Sequence, residues 1–233
     1  MSVLFEVPQL MVGFDIETTG LDTQTDEAVS YGFAEFNGGE LIGLEEFFVL
    51  PEVQIHPGAE RIHGTSYEKL RRMHREGTAL SSMAGASRAA QRLIEYHSRG
   101  ATFVGANVVR FDFTMLDSTL RRHGVQGLNG VGFDLSEVSI VDVVTHDRII
   151  DSDFVARPRR GQDYLCDYYG VASGGHDAAE DARAACEVLI AQVANVQRQF
   201  TATSHSGSKL PGDDVSNRVS SWTRVTRPFI RPH

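Results

Sequence analysis

Cysteine is almost missing. The 233-residue chain has two, Cys166 and Cys186, which excludes a disulfide framework and offers no zinc-ligand spacing. Both lie in apolar helical patterns, so buried, reduced packing residues are expected. Lysine is equally scarce, with Lys69 and Lys209 alone beside 20 arginines. Basic residues number 22 against 31 acidic ones, a net charge of -9, and the isoelectric point is near 5.4. That balance excludes a broad basic surface for nucleic acid but leaves room for a small local footprint. No apolar run reaches the ~18 residues of a membrane span. Met1–Glu6 lacks the basic start and long apolar stretch of a secretory signal. A soluble, cytoplasmic protein with no membrane partner is the expectation.

What is present suits an ordinary packed domain. Apolar residues make up 41% of the chain, enough for a core, and the length suits one domain with a tail. Leu10–Glu17 is a short apolar run of the kind found in a buried strand. Ala28–Phe36 and Leu41–Leu50 flank Asn37-Gly38-Gly39, a hairpin turn signal, so three consecutive antiparallel strands are predicted. Pro51–Gly77 mixes Pro, Gly and His with short helical pieces. Ala84–His97 has helical spacing and stops at Gly100. Ala101–Ala106 and Val138–Val144 read as further strands. Phe111–His123, Tyr164–Tyr169 and Asp177–Val196 read as helices, two of them closed by Gly124 and Gly170. This order predicts an α/β protein, a mixed sheet covered by helices on both faces.

The character changes after Phe200. Residues 201–233 are rich in Ser, Thr, Gly and Pro and poor in aliphatics. Lys209, Arg218, Arg224, Arg227 and Arg231 face only Asp213 and Asp214 there, a net of +3, which leaves -12 for residues 1–200. The predicted organisation is a domain over 1–200 and a flexible basic tail over 201–233. Trp222, the single tryptophan, is either a docking anchor in that tail or solvated with it.

Four acids and one histidine stand out. Side chains alternate along a strand, so Asp15 and Glu17 project from one face of the first strand. Two carboxylates in an apolar strand repel each other and resist desolvation. A hard divalent cation, Mg²⁺ or Mn²⁺, removes that cost. Asp112 opens a predicted helix, where an acid either serves the helix dipole or joins the first pair. Asp177 and Glu180 have N-cap to N3 spacing and read as structural. His176 then falls just before the helix and Asp181 about one turn inside it. Taken alone, a histidine there is more often a surface or capping residue than a catalytic one. Arg157, Arg159 and Arg160 form the one basic knot of the body, either a solvated loop or a phosphate contact. His63 reads as a hydrogen-bonded turn residue.

Together, Phe14-Asp15-Ile16-Glu17-Thr18-Thr19-Gly20, Val104-Gly105-Ala106-Asn107 with Phe111-Asp112 and Leu116, and His176 five residues before Asp181 resemble the DEDDh subtype of the DnaQ-like 3′–5′ exonucleases. Ile62-His63-Gly64-Thr65 is similar to a stretch common in bacterial members. Ala106 stands where that family often has histidine. The resemblance spans about residues 10–195 and implies an RNase H-like fold. It implies two metal ions, Mg²⁺ or Mn²⁺, held by Asp15, Glu17, Asp112 and Asp181, with His176 as the base toward the attacking water. Thr18, Thr19, Asn107 and Phe111 are the expected contacts to the terminal nucleotide. The implied activity is hydrolysis of single-stranded DNA from its 3′ end to nucleoside 5′-monophosphates, in proofreading or DNA processing. A ribonuclease of the RNase T or oligoribonuclease kind is the alternative, because these motifs build the phosphoryl site and not the test for a 2′-OH. A non-catalytic nucleic-acid-binding subunit is the distant one. The expected partners are a single-stranded 3′ end and, through the tail, a DNA polymerase or replication factor.

Overall fold

The computed structural model describes residues 6–150 and 161–206. Arg157, Arg159 and Arg160, like Trp222 and the chain from 207 onward, lie outside the described residues. Three strands come first, β1 (Leu10–Thr18), β2 (Ala28–Asn37) and β3 (Glu40–Leu50). They are followed by α1 (Pro57–His63), α2 (Tyr67–Arg75), β4 (Ala79–Ser81), α3 (Ser82–Ser98) and β5 (Thr102–Gly105). The remainder is α4 (Asp112–Arg122), α5 (Gly127–Gly130), β6 (Ile140–Asp142), α6 (Val143–Ile150), α7 (Gln162–Tyr169) and α8 (Ala178–Ser206). The strands make one mixed sheet in the order β4-β3-β2-β1-β5-β6.

β1, β2 and β3 are antiparallel neighbours, as the hairpin signal predicts. Gly38 and Gly39 turn the chain between β2 and β3 with φ of 60° and 86°, the positive values that a two-residue hairpin turn demands. β5 pairs with β1 in parallel but only from Met11 to Gly13. β1 therefore outlasts its neighbour, and its second half, with Asp15 and Glu17, runs on past the end of β5. The strand expected over Val138–Val144 is shorter than the sequence suggests. The side chain of Asp142 accepts the N–H groups of Val144 and Thr145 at 3.1 and 3.0 Å, and this cap turns the chain into α6.

Both faces of the sheet are covered. One carries an aromatic core in which Phe14 meets Phe33 and Phe113 at ring-centroid distances of 5.0 and 5.3 Å, under α3 and α4. The other packs Met11, Ala34 and Val104 against α6, α7 and α8. Cys166 and Cys186 are free and buried, Cys186 in this second core. A smaller cluster places Leu70 of α2 on Val29 and Ile55, at the end of the sheet where β1 outlasts β5. No helix among the described residues is long and apolar enough to cross a membrane.

α8 lies against the strands at close range. A Cβ built on Gly32 would stand 2.0 Å from the Ala178 carbonyl carbon, and one on Gly13 would stand 2.1 Å from the Ala182 carbonyl oxygen. Hydrogen at both positions is the condition for this approach. The helix runs to Ser206, ten residues beyond the Val196 suggested by the periodicity. Gly32→Ala should lower unfolding free energy by about 1–3 kcal/mol or more through overpacking against helix backbone. Urea denaturation checks this, and a variant as stable as the parent would mean that α8 sits farther from β2.

Candidate active site

The site gathers at the end of β1 because three unrelated segments terminate there. β1 supplies Asp15 and Glu17 on its α8 face. The loop after β5 delivers Asp112 at the first turn of α4. The loop before α8 delivers His176, and the first turn of α8 delivers Asp181. All five expected residues therefore meet in one region. Ligand atoms of Glu17, His176 and Asp181 lie within 4.8 Å of one another. Asp15 is placed to feel Asp112, Asp181 and Glu17 together.

Asp112 has a specific partner. Its Oδ1 accepts the Ile16 N–H at 3.1 Å, on the stretch of β1 that β5 no longer pairs. The carboxylate, 2% exposed, thus stands in for the missing strand and bolts α4 to β1. Asn107 turns the preceding loop with φ of 59°, and its carbonyl accepts the N–H groups of Arg110 and Phe111 at 3.0 Å each. It is exposed, and Phe111 is partly exposed, so both remain open toward a ligand.

At the other wall the helix start is built as the spacing predicts. Asp177 Oδ1 accepts the Glu180 N–H at 3.1 Å, an N-cap on α8. His176 is exposed and holds a left-handed conformation with φ of 63°, uncommon outside glycine. Such local strain is typical of residues that the surroundings hold in place for a purpose. Gln162 of α7 donates to the Asp181 carbonyl at 2.7 Å and to its Oδ1 at 3.1 Å, which fixes the carboxylate.

Electrostatically the site is a set of acids that raise one another's proton affinity. Burial, then Asp112, Asp181 and Glu17, push the Asp15 carboxyl well up. Burial chiefly, with Asp142 and Glu17 adding, does the same for Asp112. Burial followed by Asp181 pushes Glu17 to about 8, and burial raises Asp181. Asp181 is held back by His176, through its charge and its backbone N–H, and by the Gly174 N–H. This is the donor set and the unrelieved repulsion that hard divalent cations fit.

Two expected contacts take a different form. Thr19 is fully buried. Its hydroxyl donates to Asp26 at 2.8 Å and accepts the Glu27 N–H at 3.0 Å, while its own N–H donates to the Glu27 carbonyl at 2.8 Å. Thr19 therefore shapes the turn instead of presenting a group outward. Thr18 donates its hydroxyl to Gly20 at 2.7 Å and is 7% exposed. His63 is the turn residue expected, with Nδ1 accepting the Thr65 N–H at 3.1 Å. It also lies near enough to His176 for their charges to oppose each other.

Other groups at the site were not legible in sequence. Glu46 of β3 is raised by burial and by Asp177, and is lowered by the Ser30 hydroxyl and the Ala178 N–H. It joins the acidic cluster through strand register. Gln162 had no motif to mark it. Leu21, directly after the Thr18–Gly20 turn, is 86% exposed, and Ile62 is 57% exposed. The Thr18-Thr19-Gly20-Leu21 order was the available cue for Leu21.

Residues 12–189 match the Exonuclease family. A DNA polymerase III of PolC type from Ureaplasma parvum serovar 3 is 27% identical over 127 residues, covering 54% of this chain and 8% of that protein. Among solved structures, Escherichia coli Exonuclease I with a dA16 oligonucleotide superposes with a TM-score of 0.61 at 19% identity, over 83% of this chain and 43% of that one. The same enzyme with a dT13 oligonucleotide gives 0.62 at 20%, over 84% and 43%. The chain thus spans less than half the length of these relatives, and the likeness confirms an RNase H-like exonuclease fold.

The raised Glu17 carboxyl makes a signed prediction about the cation-free protein. Proton binding at Glu17 is stronger in the folded state, so the stability it contributes is complete below the ordinary carboxylate pKa and is lost as pH rises through about 8. Melting temperature without divalent cation should fall between about pH 5 and pH 9. Glu17→Gln should flatten that fall, and Mg²⁺ or Mn²⁺ should oppose it by binding the folded state. Thermal melts in EDTA and in metal settle the point; a Glu17→Gln profile parallel to the parent's would remove Glu17 from the repelling cluster.

Proposed function

The chain belongs to the Exonuclease family, of the DnaQ-like DEDDh kind, and from that premise we propose that it removes nucleotides from the 3′ end of single-stranded DNA with two divalent cations. The observation that carries this reading is the convergence of Asp15, Glu17, Asp112, His176 and Asp181 at one end of β1, from three segments far apart in sequence. Single-stranded DNA as substrate is supported by the oligonucleotide complexes of the structurally similar Exonuclease I. The PolC-type relative supports a setting in DNA replication or repair.

Asp15, Glu17, Asp112 and Asp181 would hold Mg²⁺ or Mn²⁺, whose charge would offset the carboxylates and stabilise charge developing on the phosphate. His176 is exposed toward solvent beside Glu17 and Asp181, where it takes a proton from the attacking water. Its place within 4.8 Å of those acids is also compatible with a ligand, and the two roles separate experimentally. Asp181 accepts from Gln162 and so presents a fixed carboxylate. Asn107 and Phe111, open at the mouth, and the Thr18–Gly20 turn border the terminal nucleotide. Leu21 and Ile62 offer apolar surface to its base.

Purified protein with Mg²⁺ or Mn²⁺ should shorten a 5′-labelled single strand stepwise from its 3′ end, and EDTA should stop it. Asp15→Asn should abolish cleavage in a protein that remains folded. Continued hydrolysis in metal-free buffer would overturn the mechanism, and preference for an RNA strand would move the substrate to the ribonuclease reading.

His176→Ala should slow turnover roughly 10²–10⁴-fold, the usual worth of a positioned acid–base group, while calorimetric metal affinity stays unchanged. Lost metal affinity would make His176 a ligand.

The basic residues after Ser206 are proposed to recruit a partner such as a polymerase, not to assist chemistry. A chain ending at Ser206 should act normally on a short oligonucleotide. Inactivity there would show that the tail belongs to the domain.

A further inference from the structure

A cutting site made of acids cannot by itself hold a polyanion. The strand upstream of the scissile bond needs cations that are not already matched. Most arginines of the folded body are matched to carboxylates: Arg88 and Arg92 to Glu45, Arg99 to Glu35, and Arg183 to Glu180 and Glu187. Among the described residues, Arg61, Arg72, Arg110 and Arg198 have no ion pair, and all four are exposed. Arg110 belongs to the loop before Asp112, and Arg198 to the far part of α8. Arg61 belongs to α1 and Arg72 to α2.

Strand register places α2 next to the acids. Glu17 of β1 pairs with Ser30 of β2, and Ser30 pairs with Phe48 of β3. Lys69 Nζ stands 5.2 Å from the Phe48 ring centroid, so it sits over the same row as Glu17, about 10 Å across two strand spacings. The rotation of α2 is set by Leu70, fully buried against Val29 and Ile55. With Leu70 inward, Lys69 and Arg72, three residues apart, share the flank toward the site. Arg71 and Arg75 fall on the opposite flank, where both reach Glu68. The helix thus neutralises its outer arginines and leaves the inner flank cationic. Glu76, the C-cap of α2, ends the cationic stretch, so it can serve only a short segment.

We propose that Lys69 and Arg72 of α2 form a phosphate track that holds the single DNA strand for a few nucleotides upstream of the cleaved bond. The proposal rests on the nuclease reading given above and adds to it a place where the strand enters. Phosphates would meet these cationic groups along one helix flank. No sequence preference follows, because backbone contacts carry none.

The test is binding of a 5′-fluorescein-labelled oligo(dT) 12-mer to the full chain by anisotropy, with Ca²⁺ replacing Mg²⁺. Lys69→Glu and Arg72→Glu should each weaken binding roughly tenfold at low salt. Each should also reduce the slope of log affinity against log salt by about 0.7, the value for one single-strand phosphate contact. Arg71→Glu makes the same change of net charge on the other flank and should weaken binding far less. Unaltered binding by Lys69→Glu and Arg72→Glu, or an equal loss in Arg71→Glu, would overturn the track. Circular dichroism establishes that each variant is folded. Cleavage of the same 12-mer by the parent protein in Mg²⁺ separates the two readings. If the parent cleaves and the inner-flank variants bind normally, the track alone is wrong. If the parent neither binds nor cleaves, the nuclease reading falls and takes the track with it.

Discussion

The approach of α8 to the sheet is the contact on which the site depends. Gly13 and Gly32 leave no side chain between strand and helix, and the helix backbone occupies that space. A larger residue at either place would push α8 outward by the width of a methyl group or more. His176 and Asp181 ride on the start of that helix, so the distance between them and Glu17 is set by two absent side chains. Catalytic geometry tolerates errors well under an ångström before rates suffer. A packing decision in the core is therefore a decision about chemistry.

The second constraint is electrostatic and works against the fold. Asp15, Glu17, Asp112 and Asp181 are crowded into a partly dehydrated corner where each raises the proton affinity of others. The protein offsets part of this locally. Asp112 takes a backbone N–H from β1, and Asp181 takes a side-chain amide from Gln162. These bonds orient the carboxylates but do not neutralise them. Binding energy for a cation is the counterpart of that unrelieved repulsion, which is how a site can be poorly stable by itself and still be selected by its cofactor.

The surface follows the same economy of charge. Several arginines lie against glutamates, which ties α3 to β2 and β3 through Arg88, Arg92 and Arg99. Exposed pairs of this sort add little stability each. Their consequence is that these guanidinium groups are already matched and offer less free positive charge to a ligand.

Residue order by itself determined the main strands and helices and pointed to the acids. The run Leu10–Glu17, the Asn37-Gly38-Gly39 turn and the Asp177–Glu180 cap are local patterns, and local patterns carry strand, hairpin and helix start because the forces that set them act within a few residues. The alternation of Asp15 and Glu17 followed from strand geometry alone. The rest required the folded chain. Val143 leaves its strand because Asp142 caps a helix, a bond that periodicity does not report. Thr19 is turned inward by Asp26, and Glu46 reaches the site only through pairing of β3 with β2. Gln162 meets Asp181 across two helices, and Lys69 is brought near Glu17 by a row of paired strands. Each of these contacts joins residues distant in sequence, and a chain of 233 residues has no local signal for a partner that only packing supplies.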